Sequence, residues 1–152
     1  MSALTFTLQG IPQPKGSTRA FVRGGRAFVT SDNPHVAEWA RDLALAAWAA
    51  RRADGVGEPS LDAIVIEAWF YFPPPIKLPP GRVFPTVRPD IDKCARALLD
   101  ALTGVLYRDD GQVVDLLARK RYSERPRVEV RVLTLKWRGL PDGIDRDAPA
   151  TD

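Results

Sequence analysis

Arg88-Pro-Asp-Ile-Asp-Lys-Cys-Ala-Arg-Ala-Leu-Leu-Asp-Ala-Leu-Thr-Gly104 opens with two carboxylates, Asp90 and Asp92, and continues with a helical period. Ala95, Leu98, Leu99 and Leu102 fall on one face, and Gly104 suits a helix stop, so a helix over 92–102 packed on a core is expected. A second acidic pair, Asp109-Asp110, follows in Leu106-Tyr-Arg-Asp-Asp-Gly-Gln112. Beyond it, residues 113–122 and 127–135 read as strands, the second alternating Val128, Val130 and Val132 with Glu129 and Arg131.

Working upstream, residues 64–72 form an apolar strand interrupted by Glu67, and a proline-rich loop covers 73–89. A loop of that length within a compact domain is commonly functional. A helix over about 34–53 is expected, with Val36, Trp39, Ala40, Leu43 and Ala47 on its inner face, Ser31 to Asn33 as capping side chains and Pro34 in its first turn. Residues 20–30 alternate around Gly24-Gly25 as a hairpin, and Leu4 to Gln9 alternates as a strand. The order β-ββ-α-β-α-β-β predicts an α+β fold, a small mixed or antiparallel sheet with two main helices.

Size allows one domain, expected over 1–137, followed by an acidic, flexible tail over 138–152. The chain carries 22 Lys and Arg against 19 Asp and Glu, but four of those acids and one arginine lie in the last 12 residues. The body is therefore clearly basic, which favours a polyanionic partner such as nucleic acid. The longest apolar run is too short for a membrane span, and no secretory pattern opens the chain. One cysteine, Cys94, excludes an internal disulfide and suits a reducing cytoplasm. With one Cys and one His (His35), a metal would have to be held by oxygen.

Hard divalent cations take carboxylate oxygens and leave room for substrate phosphate. Capping of a helix start explains one of Asp90 and Asp92 but not both, since the second repels the first. Asp109 and Asp110 are expected to return close to them through a tight helix–turn–strand connection. Arg96, four residues after Asp92, is placed either for an ordinary ion pair or to offset charge on a reacting phosphate. Lys15 and Arg19 in an early Pro/Gly loop, Arg23 and Arg26 around the hairpin, Lys93, and Lys120 within Arg119-Lys-Arg121 could contact DNA phosphates. Phe21 and Phe28 are candidates for base stacking or hairpin packing. Trp39 and Trp48 are expected in a core or interface, Cys94 as a packed residue, His35 as a helix-start residue, and Glu67 as an outside candidate for a metal ligand.

Taken in order, Arg88-Pro-Asp-Ile-Asp, Ala97-Leu-Leu-Asp-Ala-Leu-Thr-Gly104, Tyr107-Arg-Asp-Asp-Gly-Gln112 and Lys120-Arg-Tyr122 resemble the RusA family of Holliday-junction resolvases. Ile11-Pro-Gln-Pro-Lys-Gly is similar to that family's N-terminal Pro/Lys loop. The resemblance spans most of residues 5–135. It implies a homodimeric, magnesium-dependent endonuclease, with manganese able to substitute, that nicks four-way DNA junctions symmetrically in recombination and repair. Such proteins are typical of bacteriophages and prophages and act in the bacterial cytoplasm. Carried over, Asp90, Asp92 and Asp110 are the catalytic metal ligands, with Asp110 favoured over Asp109. Arg96 takes the basic catalytic position where lysine is common, and Lys93 stands where an asparagine is usual. The apolar surface of the 34–53 helix and the 64–72 strand is available for a dimer interface. The alternatives are a broader nuclease acting on forks and flaps, and a junction-binding protein that does not cut.

Overall fold

A computed structural model describes residues 2–31 and 33–136. Its elements are β1 (Ser2–Gln9), β2 (Thr18–Arg23), β3 (Arg26–Ser31), α1 (Val36–Ala53), β4 (Ala63–Phe72), α2 (Ile91–Leu102), a 3-10 turn (Asp110–Gln112), β5 (Val113–Tyr122) and β6 (Arg127–Leu135). In β4, Ile64, Ile66, Ala68, Phe70 and Phe72 are buried and alternate with half-buried Val65, Glu67, Trp69 and Tyr71. This period of two makes β4 a central strand with one face in the core. The main sheet runs β1-β6-β4-β5. β1–β6 and β6–β4 are antiparallel and β4–β5 is parallel, so the sheet is mixed. Both helices pack against one face, enclosing Trp39, Leu43, Leu98, Leu102 and Tyr107 with the inward residues of the strands. The α+β expectation holds.

The parallel pair dictates where the acids go. A strand joined to a parallel neighbour needs a crossover that carries the chain back to the sheet's starting end. Here the proline-rich segment 73–90 leaves the end of β4, α2 makes the return, and residues 103–112 lead into the start of β5. The head of α2 therefore lies toward the Phe72–Tyr122 end of the β4–β5 pair and its tail toward the Ile64–Val113 end.

The expected hairpin forms as its own two-stranded sheet of β2 and β3. Gly24 and Gly25 have φ of 58° and 74°, the left-handed conformations that a two-residue hairpin turn requires. The start of α1 departs from expectation. Pro34 precedes the helix, whose N-cap is His35 with no side-chain cap. Asn33 instead turns the approaching chain, its Oδ1 accepting the His35 N–H at 3.0 Å. Arg51, buried near the end of α1, donates through Nη1 to the Val105 carbonyl at 2.8 Å and ties α1 to the segment after α2. No helix among the described residues is long and apolar enough to cross a membrane. The expected tail, 138–152, lies outside the described residues.

Candidate active site

Asp90 occupies the N-cap position of α2 with extended backbone, φ −70° and ψ 140°, yet its carboxylate caps nothing. Aspartate at that position ordinarily satisfies the free N–H groups of the first turn. Here the carboxylate is left exposed beside Asp92, and the two line an open cleft of about 720 Å³ with Thr86, Val87, Arg88, Ile91 and Lys120. The Lys120 ammonium donates to the carbonyls of Val87 and Pro89, each at 2.7 Å. A strand residue thereby fixes the backbone that presents Asp90. Directly behind, Cys94 is fully buried, and burial pushes its thiol up to about 12, with Lys120 opposing and Asp92 and Asp90 adding to the rise. Its environment is the expected packed one, with the charges of the cleft close by.

A second cleft, about 480 Å³, adjoins the first and is lined by Lys15, Asn33, Arg88, Asp90 and Lys93 among others. The Lys15 N–H donates to the Lys93 carbonyl at 2.9 Å, and its ammonium pairs with Asp100 on α2. The Asn33 amide donates to Gln13 Oε1 at 3.1 Å and to the Pro14 carbonyl at 2.9 Å. The early Pro/Lys loop is thus strapped along α2, with Lys15 and Lys93 at the edge of the acidic cleft. Arg96 is exposed, and the ordinary ion pair with Asp92 is absent among the described residues.

The second acidic pair divides its labour. Asp109 forms a capping box: its Oδ1 accepts the Gly111 N–H at 2.7 Å, while Gln112 Oε1 accepts the Asp109 N–H at 2.9 Å. A Cβ at Gly111 would stand 2.8 Å from Asp109 Oδ1, so glycine is needed for this close approach. Gln112 Nε2 also donates to the carbonyls of Ser60 and Asp62, anchoring the turn beside the start of β4. Asp110 is exposed, and while its backbone carbonyl accepts the Val113 N–H, its carboxylate has no hydrogen bond or ion pair among the described residues. Its charge is felt at Tyr107, whose phenol donates to the Leu99 carbonyl at 3.0 Å and is pushed up, chiefly by burial.

The two acid pairs do not meet within one chain. Asp90 and Asp92 stand at the head of α2 and Asp109 and Asp110 beyond its tail, separated by a helix of about 18 Å at 1.5 Å per residue. Among the described residues no group of three or more His, Cys, Asp or Glu is placed to hold a metal ion. The tight return expected from sequence is real, but it reverses at the tail of the helix.

Other sequence candidates lie apart from the cleft. Arg23 and Arg26 are exposed at the hairpin tip, where Phe21 and Phe28 stack on each other with centroids 5.5 Å apart. The side chain of Arg19 lies outside the described residues. Trp39 is in the core, whereas Trp48 is exposed on α1. Glu67 points to the sheet face opposite the helices and pairs with Arg131, which removes it from the acidic cleft. Arg88, not singled out from sequence as a ligand contact, lines both clefts. Its place immediately before Pro89-Asp90 was the available signal.

Residues 10–133 match the family model described as Endodeoxyribonuclease RusA. The chain is also 31% identical over 144 residues to "Uncharacterized protein YqaN" of Bacillus subtilis (strain 168), covering 87% of this chain and 96% of that protein.

Proposed function

As the chain belongs to the RusA family of endodeoxyribonucleases, we propose that it resolves Holliday junctions by paired, magnesium-dependent nicks, acting as a homodimer. The observation that carries this reading is the free carboxylate of Asp90 at a helix N-cap, held beside Asp92 by Lys120. An acid that neither caps its helix nor pairs with a cation has been left available for a ligand.

Asp90, Asp92 and Asp110 are the metal-holding residues in this reading, and their hard oxygen donors suit magnesium or manganese. When bound, the ion supplies Lewis acidity toward the phosphodiester and acidifies an attacking water. The chain's own residues do the rest. Lys120 holds the Asp90 backbone in place, and Arg88, Lys93 and Lys15 line the clefts where flanking phosphates would lie. Arg96, on the helix face of Asp92, offsets negative charge on the phosphorus oxygens. Water attacks phosphorus, one phosphorus–oxygen bond to a flanking sugar breaks, and a phosphate monoester and a free hydroxyl result.

Because Asp110 sits at the far end of α2 from Asp90, a complete acid set needs a second subunit. A two-fold dimer with its α2 helices antiparallel across the axis would bring the tail of one to the head of the other, and it also matches the symmetry of a four-way junction. Cleavage of a mobile four-way junction in magnesium tests the activity, with a fork and a duplex alongside. Paired nicks are expected, lost in Asp90→Asn with junction binding retained. Mixing the inactive Asp92→Asn and Asp110→Asn proteins tests the shared site. Acids drawn from two subunits leave one intact site per mixed dimer and restore single-strand nicking, whereas acids drawn from one subunit restore nothing. Equal cleavage by Asp90→Asn and the parent would refute the site.

A further inference from the structure

The face of the main sheet that the helices leave uncovered carries a pattern that the acidic cleft does not explain. Strand register brings Arg119, Trp69 and Glu129 into one row across it, and Arg121, Tyr71 and Arg127 into the next. The guanidiniums lie on aromatic rings: Arg119 5.0 Å from the Trp69 centroid, Arg127 3.8 Å from that of Tyr71, and Arg121 5.0 Å from that of Phe84. Both glutamates of this face are already neutralised, Glu129 by Arg127 at 2.7 Å and Glu67 by Arg131 at 3.5 Å. Arg119 and Arg121 have no carboxylate partner among the described residues. One guanidinium nitrogen of Arg119 is sheltered from water and donates to nothing, a state that costs free energy until an acceptor arrives.

The position of this patch matters as much as its charge. It lies at the end of the sheet where β4 and β5 finish, the end at which Lys120 holds Val87 and Pro89. Phe84, under Arg121, belongs to the segment leading into Asp90. Cations therefore continue from the acidic cleft around the β5 edge onto the open face.

We propose that this open face is a second DNA-contact surface, which takes the phosphate backbone of a junction arm beyond the cleaved phosphate. The inference rests on the DNA-cleaving reading and extends it. Phosphate is favoured over bases because a guanidinium already lies over each of the three rings and would compete with a stacking base for that face. A guanidinium held flat presents its planar fork of donors to phosphate oxygens. A second copy of this chain is disfavoured because face-to-face packing would oppose like charges.

The test is binding of the full-length protein to a four-way junction and to a duplex arm across a NaCl series without divalent cation. Arg119→Gln/Arg121→Gln should lower the log–log salt slope by about two and weaken binding roughly 60-fold at 0.1 M salt, the ion-release factor for two contacts. Thr7→Lys adds a cation at an exposed β1 position in the row of Trp69 and Arg119, and it should steepen the slope by about one. It disturbs no packing and decides the question alone if the arginine variant fails to fold. Unchanged slopes with normal binding by the parent protein overturn the inference and leave the junction reading standing. Dissociation of a dimer at unchanged slope identifies the face as a contact between copies and overturns it too. A parent protein that binds no DNA overturns both readings.

Discussion

Lys120→Met replaces an ammonium by a methyl of similar reach and separates two roles that a lysine in an active cleft can have. In the structure the ammonium donates at 2.7 Å to Val87, an exposed residue, and at 2.7 Å to Pro89, a half-buried one. A hydrogen bond from a charged donor contributes about 1.5–3 kcal/mol when sheltered and less when water competes. The half-buried bond is worth about 1.5 kcal/mol and the exposed one about 0.5 kcal/mol on that scale. The expected loss is therefore about 2 kcal/mol, or roughly 4–8 °C in Tm for a domain of this size. Nicking should fall much further, because the backbone that presents Asp90 loses its tether to β5. Urea denaturation and single-turnover nicking at saturating protein measure the two effects. An unchanged denaturation midpoint, with a salt slope of DNA binding lowered by one, would refute the tether and make Lys120 a phosphate contact.

Asp109→Ala should destabilise the protein by about 1 kcal/mol through loss of the capping box, whereas Asp110→Ala should leave stability unchanged and remove nicking; equal denaturation midpoints for the two variants would contradict the assignment. The Cys94 thiol has a folded pKa raised from 9.0 to about 12, so folding favours its neutral form. That contribution is fully present below pH 9 and is lost as pH rises toward 12, at a slope approaching 1.4 kcal/mol per pH unit. Cys94→Ala should flatten the alkaline limb of stability measured by urea midpoints between pH 8 and 11, and an identical limb would show that other groups control it.

Strand existence was legible wherever a single face is buried. The alternation of Ile64, Ile66, Ala68 and Phe70 in β4 and of Val128, Val130 and Val132 in β6 reports a core on one side only. The limits 127–135 agree with the structure for the same reason, and 113–122 agree as well although β5, at the sheet edge, shows no such alternation of burial. The start of α1 was not legible, because Asn33 makes a turn with its side chain that competes with the cap sequence reasoning assigned to it. The acid motif was visible as residue types, but its geometry depends on the parallel pairing of β4 with β5, a long-range choice that no local pattern encodes. The same pairing sets Arg119 beside Trp69 and Arg121 beside Tyr71. The cation-on-aromatic face was therefore unreadable until the register was known.

Among the described elements the earliest strand by sequence, β1, pairs with the latest, β6, from Ser2↔Thr134 to Gln9↔Arg127. Closing that pair brings together residues more than a hundred positions apart, and such loop closure carries an entropic cost that must be met before the contact helps. During synthesis β1 emerges early and must wait, as an unpaired strand edge, until β6 has left the ribosome. The hairpin and α1 can form while it waits, since their contacts are local. The β4–α2–β5 crossover can close next, so the acidic cleft can take shape before the sheet that supports it is complete. Completion of β6 is then the step that fills both sides at once, giving β1 its partner and β4 its second neighbour.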